Sequence, residues 1–148
     1  MDLISQLQQK MYEDIPLSQQ MGMQVVAYEH DTLTLSASLK KNTNQLQTAF
    51  GGSIFSLATL ACWAWLNVKL KNCKIDARIV IQRGHMDYKQ LIEHDFIAIC
   101  PPADEARFKR FLHILQRKAI ARITLHSEVR CEGILSAKFI GEFVAEKN

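Results

Sequence analysis

Two glycines, Gly51 and Gly52, stand directly before an uncharged run that reads as a helix over Ser53–Leu70. The first N–H groups of a helix have no intrahelical partner and lie at the positive end of its dipole. Negative charge developing on a carbonyl oxygen would be stabilised at such a start. Glycine there lets a ligand carbonyl come close to the backbone; a tight turn packed on a strand is the other reading. Asn44, in the polar loop before the pair, could hold a water or a carbonyl through its amide, or simply shape the turn. Ser53, Ser56 and Thr59 recur every three residues on the first half of the helix. Their hydroxyls could orient water, or bond back to their own helix. His85 and Asp87 follow the point where an alternating strand turns from apolar to polar, as a candidate base or as a solvated strand end.

The rest of the composition narrows the possibilities. The net charge of +3 is too small to argue for a nucleic-acid partner. Cys62, Cys73, Cys100 and Cys131 show no metal-ligand spacing and read as small core residues. His30, His94, His113 and His126 read as surface or turn residues. The amino-terminal MDLISQLQQKM is too polar for a signal peptide, and a reducing, cytoplasmic location is expected. About 18 apolar residues can cross a bilayer, but Ser53, Ser56, Thr59 and Asn67 interrupt this run. A helix apolar nearly all round is therefore expected to be buried on every side of a core, with no membrane partner.

Those groups need a frame, and the periodicity supplies one. Leu3, Ile4, Leu7 and Met11 predict a short amphipathic helix, with a further turn starting near Pro16. Met23–Tyr28 and Thr32–Leu39 predict two strands joined at Glu29-His30-Asp31; Leu33, Leu35, Ala37 and Leu39 alternate with polar residues. After the long helix, Ile75, Ala77, Ile79 and Ile81 alternate until Arg83-Gly84-His85, where a bulge at Gly84 is expected. Phe96–Cys100 predicts a strand, and Asp104-Glu105 starts a helix with Phe108, Phe111, Leu112 and Leu115 on one face. Ala119–Cys131 and Leu135–Ala145 predict a hairpin turning at Glu132-Gly133. With no linker or repeat, residues 1–148 read as one domain of the α+β class: an antiparallel sheet of about six strands wrapped around one long central helix.

In this order the chain resembles the hotdog fold, and hotdog thioesterases in particular. The stretch from Asn44 through Thr48-Ala49-Phe50-Gly51-Gly52-Ser53 to Ala58 is similar to the thioesterase domain that some bacterial proteins carry behind an acetyltransferase, as are Ile79–Gln82 and Phe139–Ala145. The resemblance implies hydrolysis of an acyl-coenzyme A or acyl-carrier-protein thioester, with coenzyme A or phosphopantetheine entering only as part of the substrate and no other cofactor. An acyl-binding module without turnover is the alternative. A homodimer, or a dimer of dimers, is implied too. The broader family often has a His before the two glycines and a carboxylate nine residues after it; Phe50 and Thr59 stand there in this chain. The catalytic set implied is then Asn44, Gly52 and Thr59, with Asp87 as base across the dimer interface. Phe50, Gly51, Ser53, Ser56, His85 and Tyr88 are implied to touch substrate. The basic run Arg107, Lys109, Arg110, Arg117 and Lys118 would suit the phosphates of the carrier, or is a solvated helix face.

Overall fold

In a computed structural model describing residues 1–148, the chain runs α1 (Leu3–Asp14), α2 (Pro16–Gln20), β1 (Gln24–Glu29), β2 (Thr32–Ala37), α3 (Gly51–Asn72), β3 (Ala77–Tyr88), β4 (Phe96–Cys100), α4 (Glu105–Lys118), β5 (Ile120–Cys131) and β6 (Ile134–Lys147). The strands form one six-stranded sheet in the order β1-β2-β4-β5-β6-β3, antiparallel throughout. Two hairpins have both turn residues at positive φ, His30-Asp31 and Glu132-Gly133, the geometry whose twist matches right-handed strands. The α+β arrangement expected from the sequence, a sheet around one long helix, is the one observed.

Helix α3 packs on β2, β3, β4, β5 and β6. Ala58, Ala61 and Ala64 are fully buried and let the strands approach closely; Ser127 of β5 donates to the Ala58 carbonyl at 2.9 Å. The helix ends in a Schellman arrangement, with Lys74 at φ 58° and the Ile75 N–H on the Leu70 carbonyl at 2.9 Å. This is the one helix long and apolar enough to cross a membrane, and it lies in the core of the sheet.

It is not buried on every side, however. Of its 22 residues 13 are buried, and an open stripe follows Gly52, Ser56, Thr59 and Asn67. Together with Trp63, these positions fall within ~80° of arc at 3.6 residues per turn. Ser53, a three-residue step away from Ser56, turns into the core. The stripe expected from a spacing of three thus runs in steps of four, three, four and four.

The bulge in β3 lies at Gln82, where the register shifts between Ile81 and Arg83. Gly84 instead pairs with Gly141, and a Cβ on it would lie 2.9 Å from the Phe55 ring and 3.2 Å from Phe139. The glycine makes room for the aromatic layer between sheet and helix. Of the four cysteines, Cys73 is exposed at the end of α3 and the other three are buried.

Candidate active site

The loop before α3 is held by two asparagines. Asn42, 3% exposed, donates to the carbonyls of Met21 and Ser38 at 2.9 and 2.7 Å, and its own carbonyl receives the Phe50 N–H at 2.7 Å. Asn44 donates to the Thr48 hydroxyl at 2.8 Å and accepts from the N–H of Leu46 at 2.8 Å and of Thr48 at 3.2 Å. Its amide is therefore engaged within the loop, as a turn former. Asn42 carried no signal in the sequence beyond lying in a polar segment.

Phe50 occupies the N-cap position with extended backbone, and its carbonyl accepts from Ser53 and Ile54 at 3.0 and 3.1 Å. The amides of Gly51 and Gly52 have no acceptor within the chain. Two free donors thus stand at the positive end of a 22-residue helix. The Phe50 ring, 56% exposed, lies over Gly52, where a Cβ would come within 2.5 Å of it. Tyr88, at the end of β3, donates to the Gly51 carbonyl at 2.9 Å and ties the strand to the helix start. Burial raises the pKa of its phenol.

The hydroxyls divide in a way the sequence left open. Ser56 donates to the Gly52 carbonyl and Thr59 to the Phe55 carbonyl, each at 2.8 Å. Ser53, 4% exposed, has no hydrogen-bond partner for its hydroxyl within the chain. Ser56 follows Gly52 by four residues, about 6 Å along the axis, and Thr59 by seven, about 10 Å. One water bridge does not span the latter.

His85 and Asp87 contact one another at 3.2 Å and are both largely exposed. Gly84 and Tyr88 face α3, so the intervening parity of an extended strand puts His85 and Asp87 on the outer face of the sheet. Within one subunit the sheet separates them from Gly52. The basic residues of α4 are distant as well: Phe108 stacks edge-on against Trp65 at 5.5 Å, toward the far end of α3.

A trough follows the open stripe of α3. Its first section, about 250 Å³, is walled by Ile15, Leu17 and Met21 around α2, by Phe55 and Leu60 of α3, and by Ile81 of β3. Ser56 and Thr59 line it, with their protons already committed to backbone carbonyls. The second section, about 670 Å³, shares Ile15, Thr59, Leu60 and Ile81 with the first and continues past Trp63 to Asn67. The α2 wall went unrecognised in the sequence, because nothing in a pattern of apolar residues says which ones border an open groove.

This combination of helix start, wrapped sheet and flanking groove matches a described family. The model for "Putative thioesterase (yiiD_Cterm)" fits residues 4–147. The chain belongs to this thioesterase family. Among solved structures, a Chlorobaculum tepidum protein of unknown function is 34% identical at a TM-score of 0.93, over 99% of this chain and 95% of that one. A Shewanella oneidensis protein described as a "putative thioesterase" is 28% identical at 0.89, over 97% of each chain. A Haemophilus influenzae thioesterase, 12% identical at 0.78 over 99% of this chain and 92% of that one, shares the hotdog fold. Thioesterase-family membership and the fold thus agree with the wrapped helix, while the family's usual His and carboxylate positions hold Phe50 and Thr59.

Proposed function

We propose that this protein hydrolyses acyl thioesters of coenzyme A or of an acyl-carrier arm at the N-terminus of α3. The observation that carries this reading is the pair of unbonded amides, Gly51 and Gly52, with an apolar trough beginning one turn farther along α3, at Phe55 and Ser56. The thioester carbonyl oxygen would accept from those amides and keep them as the carbonyl carbon becomes tetrahedral. Removal of one such donor typically costs about 10²–10³ in kcat. Water adds to the carbonyl carbon, the C–S bond breaks, and the thiolate leaves with the proton that water gives up. Ser56, with its own proton on Gly52 and its lone pairs free, is placed to accept from that water. Thr59, a turn farther along, contacts the acyl chain instead.

The outward face that His85 and Asp87 share within one subunit supports a water without a strong base, and hence modest turnover. The same geometry favours one alternative: a module that binds acyl thioesters without cleaving them. Two subunits joined along the free edge of β3 would cover the exposed side chains around the helix start. Four free cysteines suit a reducing, cytoplasmic location. Thiol release from a panel of acyl-coenzyme A and acyl-carrier-protein thioesters tests the proposal. Release above the uncatalysed rate is expected; tight binding of an acyl thioester with no release would leave the binding module.

A further inference from the structure

We infer that the acyl group this protein accepts is an unbranched chain of about 12 to 16 carbons, extended along α3 and limited by a polar collar that begins past Trp63. The inference rests on the proposed anchoring of the thioester carbonyl at Gly51 and Gly52, and it adds the occupant of the trough.

Three observations carry it. First, the trough begins at Phe55 and Ser56, one turn past Gly52, and stays on one face: Gly52, Ser56, Thr59, Trp63 and Asn67 succeed one another at steps of four, three, four and four. Second, its lining changes character along its length. The section from Phe55 to Leu60 is apolar apart from hydroxyls whose protons are already committed to the backbone, so it offers a ligand no donor. Toward Asn67 the walls gain Lys10, Asp14, Asp76 and Arg78 beside apolar residues of β3. Lys10 is paired with Asp14 at 2.8 Å, and the Asn67 amide donates to the Trp63 carbonyl at 2.9 Å. Methylenes pushed into this collar would desolvate those groups without replacing their hydrogen bonds.

Third, the length fits. From Gly52 to Trp63 is eleven residues, about 16 Å at 1.5 Å rise per residue, and to Asn67 about 22 Å. A fully extended chain advances about 1.2 Å per bond, by the same reach that gives ~3.5 Å per residue of extended backbone. Fourteen carbons span the first distance, and about nineteen reach Asn67. Each methylene missing from a shorter chain leaves apolar wall unfilled and costs up to about fourfold in kcat/KM.

The test is a series of saturated acyl-coenzyme A thioesters from two to eighteen carbons, read as thiol release, beside binding of their non-hydrolysable thioether analogues. Wild type is expected to peak at about 12 to 16 carbons in both readouts. Ile79→Phe, which narrows the second section, is expected to move the optimum down by two to four carbons. Asn67→Leu, which removes the collar, is expected to move it up by about four, the length of one helical turn. A flat profile, or a peak at two to four carbons, overturns the inference while leaving the hydrolase reading intact. Binding that peaks at 12 to 16 carbons with no release at any length upholds the chain class and sinks the hydrolase reading. If both variants shift the monomer–dimer equilibrium and neither shifts the optimum, a second copy of the chain fills the trough and the inference fails.

Discussion

Asp87 marks the difference between what residue types suggest and what their placement allows. A His and an Asp two apart at the end of a strand resemble an acid–base pair, and they do touch, at 3.2 Å. Yet period-two alternation sends both to the outer face, while Gly84 and Tyr88 turn toward α3. Proton transfer by a placed side chain is typically worth about 10²–10⁴ in rate. Asp87→Asn is therefore expected to keep turnover within about twofold, with the pH–rate profile unchanged. Ser56→Ala should lower kcat about tenfold, the worth of one hydrogen bond of about 1.4 kcal/mol, again without a new titration. Thr59→Ala should act on KM. A lost acidic limb in the Asp87→Asn profile would instead make Asp87 the base. The glycine pair and the three hydroxyls were visible in the sequence; which hydroxyls bond back to the helix was not. Ser53, Ser56 and Thr59 look equivalent at a spacing of three, and only the packing of α3 on five strands decides that Ser53 goes inward.

At the scale of elements, the strands and helices followed from alternation and capping. Asp104 caps α4 through the Arg107 N–H at 3.0 Å, as its place before an amphipathic run implies. The bulge did not follow. Gly84 looked like the break in phase, whereas Gln82 is the inserted residue and its side chain takes the Arg122 guanidinium at 2.9 Å. The β1–β2 hairpin carries a prediction of its own. Tyr28 donates to Asp31 at 2.6 Å, and burial first, then the Asp31 bond and charge, raise its pKa. A group whose pKa is higher folded than unfolded contributes stability that is whole below its unfolded value, about 10 for tyrosine, and lost as pH rises through the folded one. Thermal melts from pH 8 to 11 should show the melting temperature of wild type falling above about pH 10. In Tyr28→Phe that alkaline fall should be shallower, and part should remain because Tyr12 and Tyr88 are raised by burial as well. Equal slopes in the two proteins would remove Tyr28 from the alkaline transition.

For the molecule as a whole, the two edges of the sheet are treated differently. Helix α1 packs against β1, and Gln8 accepts the Val25 N–H at 3.0 Å, so that edge is covered. The β3 edge is twelve residues long, pairs only with β6, and exposes Val80 at 61%. A long, bare strand edge is a template for pairing with another chain. Phe50, Leu46, Tyr88 and Leu91 are each more than half exposed around the helix start, which extends the uncovered surface toward the proposed site. Sedimentation should give a dimer at micromolar concentration, and Val80→Lys should weaken it at least tenfold; a wild-type monomer would leave the edge free. The fold class was legible because a long apolar helix beside six amphipathic strands has few economical arrangements. The trough was not, because it is defined by what fails to cover α3.

Thiol release by wild type and by Gly52→Val, compared on one long-chain acyl thioester, tests most directly the claim that the start of α3 binds the reacting carbonyl. The added side chain would meet the ring of Phe50, which is exposed and can turn aside, so the variant should fold. The account predicts a wild-type rate above background and a loss of at least about a hundredfold in the variant, of the size expected when donors to an oxyanion are put out of reach. A Gly52→Val protein that hydrolyses the thioester as fast as wild type would place the chemistry elsewhere.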